Sequence, residues 1–195
     1  MTNEELKIHN TFVCLGASNH TEKDRETNDF YATEPNAVIK LLEKEKFNNN
    51  IWECCCGKGH ISKVLLDNGY NVYSTDLINR GFGNAFFDFL KYKKMVNADI
   101  ITNPPYKNAL EIINHALKVT SKGNKIAMLL KIQFLESIER GKFFAKYPPK
   151  YVYVFSKRTY CAKNGDFDIY HSGAMCYAWF IWVNGEYNEP IIRWI

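Results

Sequence analysis

The chain has 195 residues, enough for one domain with a real hydrophobic core, and its 46% hydrophobic and 15% aromatic content excludes an intrinsically disordered polymer. No apolar run is long enough to span a membrane as a helix, and Met1-Thr2-Asn3-Glu4-Glu5 lacks the basic and apolar regions of a secretory signal, which together suggest a cytoplasmic protein. The net charge is +4 but unevenly spread: residues 1–36 carry a net −4, whereas residues 91–160 hold fourteen Lys or Arg against four Asp or Glu. Such a basic half suits a polyanionic partner, although a solvated Lys-rich surface has the same composition.

Residues 1–34 read as a polar arm with one apolar patch, Phe12-Val13-Cys14-Leu15, ahead of a single domain over 35–195. Pro35 opens a helix through about Phe47, with Val38, Leu41 and Leu42 on one face. Ile51–Cys55 is a short apolar strand, Gly57-Lys58-Gly59 a turn, and Ile61, Val64 and Leu65 mark a second amphipathic helix that Asn68-Gly69 ends. Tyr70–Thr75 is the next strand, closed by Asp76, and Ala85–Leu90 a further short one. Ala98–Thr102 is a strand, Asn108–Val119 a helix, Lys125–Leu130 a buried strand and Phe134–Lys146 a helix that Pro148-Pro149 stops. Tyr151–Phe155 and Ala174–Val183 are two late strands joined by a long polar loop. Alternation of strands and helices predicts an α/β fold with a parallel sheet, and the two late strands predict an antiparallel pair at one edge.

Six cysteines occur, and Cys54-Cys55-Cys56 are contiguous. Read as a strand, they alternate faces and cannot grip one ion together. No Cys-x-x-Cys pair exists, so no metal is expected and the thiols read as reduced core residues.

Two turns carry chemistry. Glu53-Cys54-Cys55-Cys56-Gly57-Lys58-Gly59 joins strand to helix, and Asp76 lies at the tip of the next strand, where a carboxylate can accept hydrogen bonds from two ribose hydroxyls. This suits an adenosine-containing ligand, although a third glycine is missing at Ser62 and a strand–turn–helix can need glycines for itself. Asn103-Pro104-Pro105-Tyr106 follows a strand end. Each proline fixes its own φ and biases the preceding residue toward extended backbone. The Asn103 amide and the carbonyl before Pro105 can then converge on an exocyclic amino group, with the Tyr106 ring beside a planar base. In a parallel sheet ligands bind at the carboxyl ends of strands, which puts both turns on one rim.

On these residues the chain resembles a small S-adenosylmethionine-dependent N6-adenine DNA methyltransferase of the phage or prophage type, from about residue 29 onward. Asn103–Tyr106 matches that family's catalytic motif, Glu53–Gly59 its glycine motif with three unusual cysteines, and Asp76 the acid that follows. Phe87-Asp88-Phe89 resembles the motif that meets the cofactor's adenine, and Asp29-Phe30-Tyr31-Ala32-Thr33-Glu34-Pro35 the one that closes over its methionine part. The resemblance implies a Rossmann-like class I methyltransferase sheet of seven strands, mostly parallel with one reversed. It implies S-adenosylmethionine as cofactor, DNA as partner and a bacterial or phage-infected cell as setting; the chain departs from the many such enzymes that carry a separate target-recognition domain, for which 195 residues are expected to leave no room. Its implied catalytic residues are Asn103, Pro104, Pro105 and Tyr106, and its implied cofactor residues Tyr31, Thr33, Glu53, Cys54, Gly57, Gly59, Asp76, Leu77, Asp88 and Phe89. Tyr106, Lys131, Phe134, Arg158 and Phe167 are candidates for the substrate side, with Tyr160 as an alternative to Phe167, and Asn19, His20 and Arg25 of the arm could cover the site. Competing readings are methylation of an RNA adenine or a protein glutamine amide, a non-catalytic binding module, and a nicotinamide-dependent oxidoreductase.

Overall fold

The computed structural model describes residues 30–168 and 175–195, and every structural statement below refers to these residues. The expectations for Phe12–Leu15, Asn19, His20, Arg25, Asp29 and Ala174 lie outside them.

The strands are β1 (Tyr31–Thr33), β2 (Asn50–Glu53), β3 (Asn71–Asp76), β4 (Ala85–Phe86), β5 (Asp99–Thr102), β6 (Lys125–Lys131), β7 (Tyr151–Val154), β8 (Cys161–Lys163), β9 (Tyr177–Val183) and β10 (Ile191–Trp194). The helices are α1 (Pro35–Lys44), α2 (His60–Asp67), α3 (Ala109–Val119) and α4 (Ile138–Lys146). Eight strands form the main sheet in the order β10-β7-β9-β6-β5-β2-β3-β4, and β1 pairs antiparallel with β8 in a separate two-stranded sheet. β9 runs antiparallel to both its neighbours, β6 and β7, while the other pairs of the main sheet are parallel.

The centre of the sheet is buried on both faces, and side-chain alternation sorts its residues into two cores. Every residue of β9 is buried. Tyr177, Trp179 and Ile181 join Val38 and Leu41 of α1, Ile61 and Leu65 of α2, and Ala127 and Leu129 of β6. Ala178, Phe180 and Trp182 join Ile112, Ile113 and Ala116 of α3 with Ile126, Met128 and Leu130. Two indoles anchor this arrangement: Trp179 Nε1 donates to the Ala37 carbonyl at 2.9 Å and Trp182 Nε1 to the Tyr147 carbonyl at 3.0 Å.

Several expectations change. The main sheet has eight strands rather than seven, because Ile191–Trp194 adds β10 beside β7. The reversed strand β9 is internal because it pairs with both β6 and β7, and β10 takes the edge position beyond β7, so the late antiparallel pair is not at the edge. All four residues of β10 are exposed, so no buried apolar pattern marks the strand in the sequence. Only Ala85–Phe86 of the expected Ala85–Leu90 strand is extended; Phe89–Lys91 is a 3-10 turn capped by Asp88. The helix expected from Phe134 begins at Ile138, after a 3-10 turn over Ile132–Leu135, with Ser137 Oγ accepting from the Arg140 N–H at 3.0 Å. β2 ends at Glu53, so the three cysteines lie beyond the strand, in the turn.

Candidate active site

Asn103 leaves the carboxyl end of β5, and the Gly57–Gly59 turn leaves the same end of the adjacent parallel strand β2. Asn103 Nδ2 donates to the Tyr31 carbonyl of β1 at 2.8 Å and lies 3.7 Å from Cys161 Sγ of β8. The amide nitrogen is thereby held by the β1–β8 pair, and Oδ1 is left as the acceptor end of the amide. That pair is tied down further. Thr159 Oγ1 donates to Glu34 at 2.8 Å, the Asn164 N–H donates to the Phe30 carbonyl at 3.2 Å, and Lys58 Nζ donates to the Asn164 carbonyl at 3.0 Å.

Tyr106 opens a 3-10 turn over Tyr106–Asn108. Its ring lies 6.0 Å from the Tyr31 ring, nearly parallel, and 6.2 Å from that of Tyr177. Lys131 Nζ stands 4.8 Å from the Tyr106 ring centre. Burial pushes the phenols of Tyr106 and Tyr177 up, and the Cys161 thiol up to about 12, so all three are neutral near pH 7.

The glycine turn is built differently from a simple bend. Gly57 and Gly59 have φ of +54° and +79°. A Cβ on Gly57 would collide with the Phe30 ring, and one on Gly59 would lie 2.5 Å from the Phe82 ring. Both rings are flanked by cations, Arg80 at 4.5 Å from Phe30 and Lys63 at 5.4 Å from Phe82. Asp76 organises the turn: Oδ2 accepts from the Gly57 N–H at 2.8 Å and Oδ1 from the Ile78 N–H at 3.0 Å. Each oxygen keeps a second lone pair for a ligand hydroxyl. Leu77, the next residue, is 64% exposed.

Ser62, which stands in place of a third glycine, has a partner of its own. Its hydroxyl donates to Glu53 and lies 2.6 Å from the Ser74 hydroxyl, joining β2, α2 and β3 beneath the turn. Glu53 is 1% exposed, and burial raises its carboxyl well above the ordinary range. Burial also raises the Cys54 thiol, and that of Cys56 to about 12, which leaves neither as a thiolate nucleophile at neutral pH.

The remaining candidates are dispersed. Thr33 and Cys54 are buried, Thr33 in β1 and Cys54 behind the turn. Asp88 Oδ1 accepts from the Leu90 N–H at 3.0 Å, while Phe89 packs edge-on against Trp52 at 5.0 Å, inside the core. Phe134 is buried against Phe144 and Phe180, each at 5.9 Å. Arg158 is exposed, with Nη2 3.9 Å from Cys176 Sγ. Phe167 meets His60 at 5.3 Å and Tyr160 at 6.0 Å, at the start of α2. Burial, with Lys63 and Lys58 nearby, lowers the His60 pKa. The structure thus brings Tyr31, Asn103, Tyr106 and Lys131 together, with Cys161 and Tyr177, which the sequence did not single out, beside them, while Ser62 and Phe82 lie at the glycine turn. The Asn164-Gly165 dipeptide, with both residues at positive φ, was a readable turn signal closing β8.

A cavity of about 450 Å³ lies elsewhere, lined by Trp52, Tyr73, Tyr92 and Asn50 among others, toward the amino ends of β2 and β3. The described residues contain no cluster of three or more His, Cys, Asp or Glu placed to hold a metal, and no helix long and apolar enough to cross a membrane.

The sheet order, the single reversed strand and the two turns on one rim define a Rossmann-like class I methyltransferase fold. Solved structures agree. A candidate class I S-adenosylmethionine-dependent methyltransferase from Listeria monocytogenes is 13% identical with a TM-score of 0.58, over 100% of this chain and 74% of that one. A candidate RNA methyltransferase from Pyrococcus horikoshii is 11% identical with a TM-score of 0.59, over 91% and 98%. A modification subunit of a candidate type I restriction enzyme from Vibrio vulnificus is 10% identical with a TM-score of 0.55, over 97% of this chain but 55% of that one. No family model and no curated protein matches the sequence.

Proposed function

We propose that the protein transfers a methyl group from S-adenosylmethionine to the exocyclic N6 amino group of adenine in DNA. The observation that carries this reading is the Asn103 amide, whose nitrogen is held by the Tyr31 carbonyl so that its oxygen remains to accept, at the head of an Asn-Pro-Pro-Tyr turn beside a glycine turn. The cofactor's chemistry fits the residues present. Asp76 offers lone pairs to two ribose hydroxyls, exposed Leu77 an apolar wall for the purine, and half-exposed Asp88 an acceptor for its amino group. Tyr31 and Thr33 would close over the methionine part; the Phe30 and Phe82 rings pack on Gly57 and Gly59, and Glu53 and Cys54 lie beneath the turn.

When bound, the cofactor supplies an electrophilic sulfonium methyl, so the chain needs no nucleophile of its own. Adenine N6 is a poor nucleophile because its lone pair is conjugated with the ring. Asn103 Oδ1 and the Pro104 carbonyl accept hydrogen bonds from its two N–H groups, which localises that lone pair and aims it. Tyr106 stacks on the extruded base, returning about 1–3 kcal/mol against a flipping cost of a few kcal/mol. Exposed cations leave the same rim from two strands, Lys107 after β5 and Lys157 and Arg158 after β7, which favours a polyanion.

The decisive experiment incubates labelled S-adenosylmethionine with DNA, RNA and protein in separate reactions, then digests the product. N6-methyladenine from DNA is expected; a labelled RNA base or glutamine would remove the substrate class and keep the chemistry. Asn103→Ala should lower turnover by about 10²–10³ while cofactor affinity persists. Near-normal turnover in that variant would refute the role given to the amide.

A further inference from the structure

β6 and β7 are both antiparallel to β9 and hence parallel to each other, so their connection starts at the carboxyl end of β6, on the Asn103 rim. Two aliphatic side chains stand in water at that start: Leu135 is 43% exposed and Ile138 is 84% exposed, the most exposed large hydrophobic among the described residues. The segment sends Phe134 into the core instead, at 7% exposure. Its shape is held from within. The Arg140 guanidinium donates to the Glu136 carbonyl and, at 3.4 Å, to that of Gln133, and it stands 4.9 Å from the Phe134 ring centre. Leu135 and Ile138 are thus carried outward on a stapled turn. Lys131, four residues before Leu135, reaches Tyr106, and exposed Lys107, Lys157 and Arg158 stand on the neighbouring rim turns.

We infer that Leu135 and Ile138 form an apolar wedge that enters a nucleic-acid duplex beside the target adenine and fills the space the base leaves. This rests on the reading of the site as a base methyltransferase. An adenine amino group in a duplex is paired and stacked, and it reaches Asn103 only when the nucleotide is turned out. Aliphatic side chains placed between base steps offset the lost stacking, as in proteins that kink DNA. The cations of the rim turns suit the phosphates of a duplex, and the aliphatic pair, flanked in sequence by exposed Glu136 and Glu139, suits the apolar space between its base pairs.

The test uses mixed-sequence DNA, native or heat-denatured, with methyl-labelled S-adenosylmethionine and the full chain carrying Leu135→Ala and Ile138→Ala together. Incorporation into native DNA should fall by about tenfold or more, and incorporation into denatured DNA should stay within about twofold of wild type, because the wedge acts only where stacking must be broken. Ile138→Phe, which keeps a large apolar wedge, should retain activity on native DNA. Equal loss on both substrates, or no loss on native DNA, overturns the wedge and leaves methyl transfer standing. Absence of incorporation by the wild-type protein into either form overturns the DNA reading and the wedge with it.

Discussion

Asn103 and Glu53 illustrate how one polar side chain acquires its task from its neighbours. Asn103 is oriented by a backbone carbonyl seventy-two positions away in sequence, which makes β1 part of the site. Glu53 is held under the glycine turn by Ser62, and its buried carboxyl binds a proton more tightly in the fold than in the unfolded chain. The native state therefore loses stability as pH rises above the unfolded value near 4.5, since the unfolded chain ionises first. Glu53→Gln removes the ionisation but keeps an oxygen for the Ser62 hydroxyl. Its melting temperature relative to wild type should rise between about pH 5 and about pH 8. A difference that stays flat across that range would mean that Glu53 carries its charge in the folded protein. Ser62 itself was legible only as a departure from a glycine pattern, because the sequence does not say which buried acid a hydroxyl will meet.

At the scale of elements, the glycine turn and the β1–β8 pair share one set of contacts. Phe30, just before β1, packs on Gly57, and Phe82 packs on Gly59. Gly57→Ala would incur about 1–2 kcal/mol for left-handed backbone, together with displacement of the Phe30 ring. Total destabilisation above about 2 kcal/mol is expected, and Phe30→Ala in the same chain should recover part of it. Denaturant titration of the four proteins measures the coupling; strictly additive losses would show that the ring does not limit residue 57. The glycine turn, both helices beside it and β5 were readable from spacing alone. β8 was not, since three residues with one buried side chain leave too short a pattern to separate from a polar loop.

For the molecule as a whole, β9 is the strand on which both cores depend. Trp179 is fully buried between α1 and the sheet, whereas Trp194 on β10 is 65% exposed. Trp179→Ala should cost about 3–5 kcal/mol by urea unfolding, and Trp194→Ala within about 0.5 kcal/mol. Comparable losses would mean that β10 is as much a part of the fold's core as β9. By itself the sequence determined the α/β class, most elements of the parallel sheet, and the two chemical turns, because hydrophobic period, glycine and proline act over a few neighbouring residues. Only the tertiary structure decided that the reversed strand lies inside the sheet, that an eighth strand closes its edge, and that Tyr31, Cys161 and Tyr177 gather around Asn103 and Tyr106. Those are contacts between distant segments, fixed by how the sheet orders its strands, and no local pattern records that order.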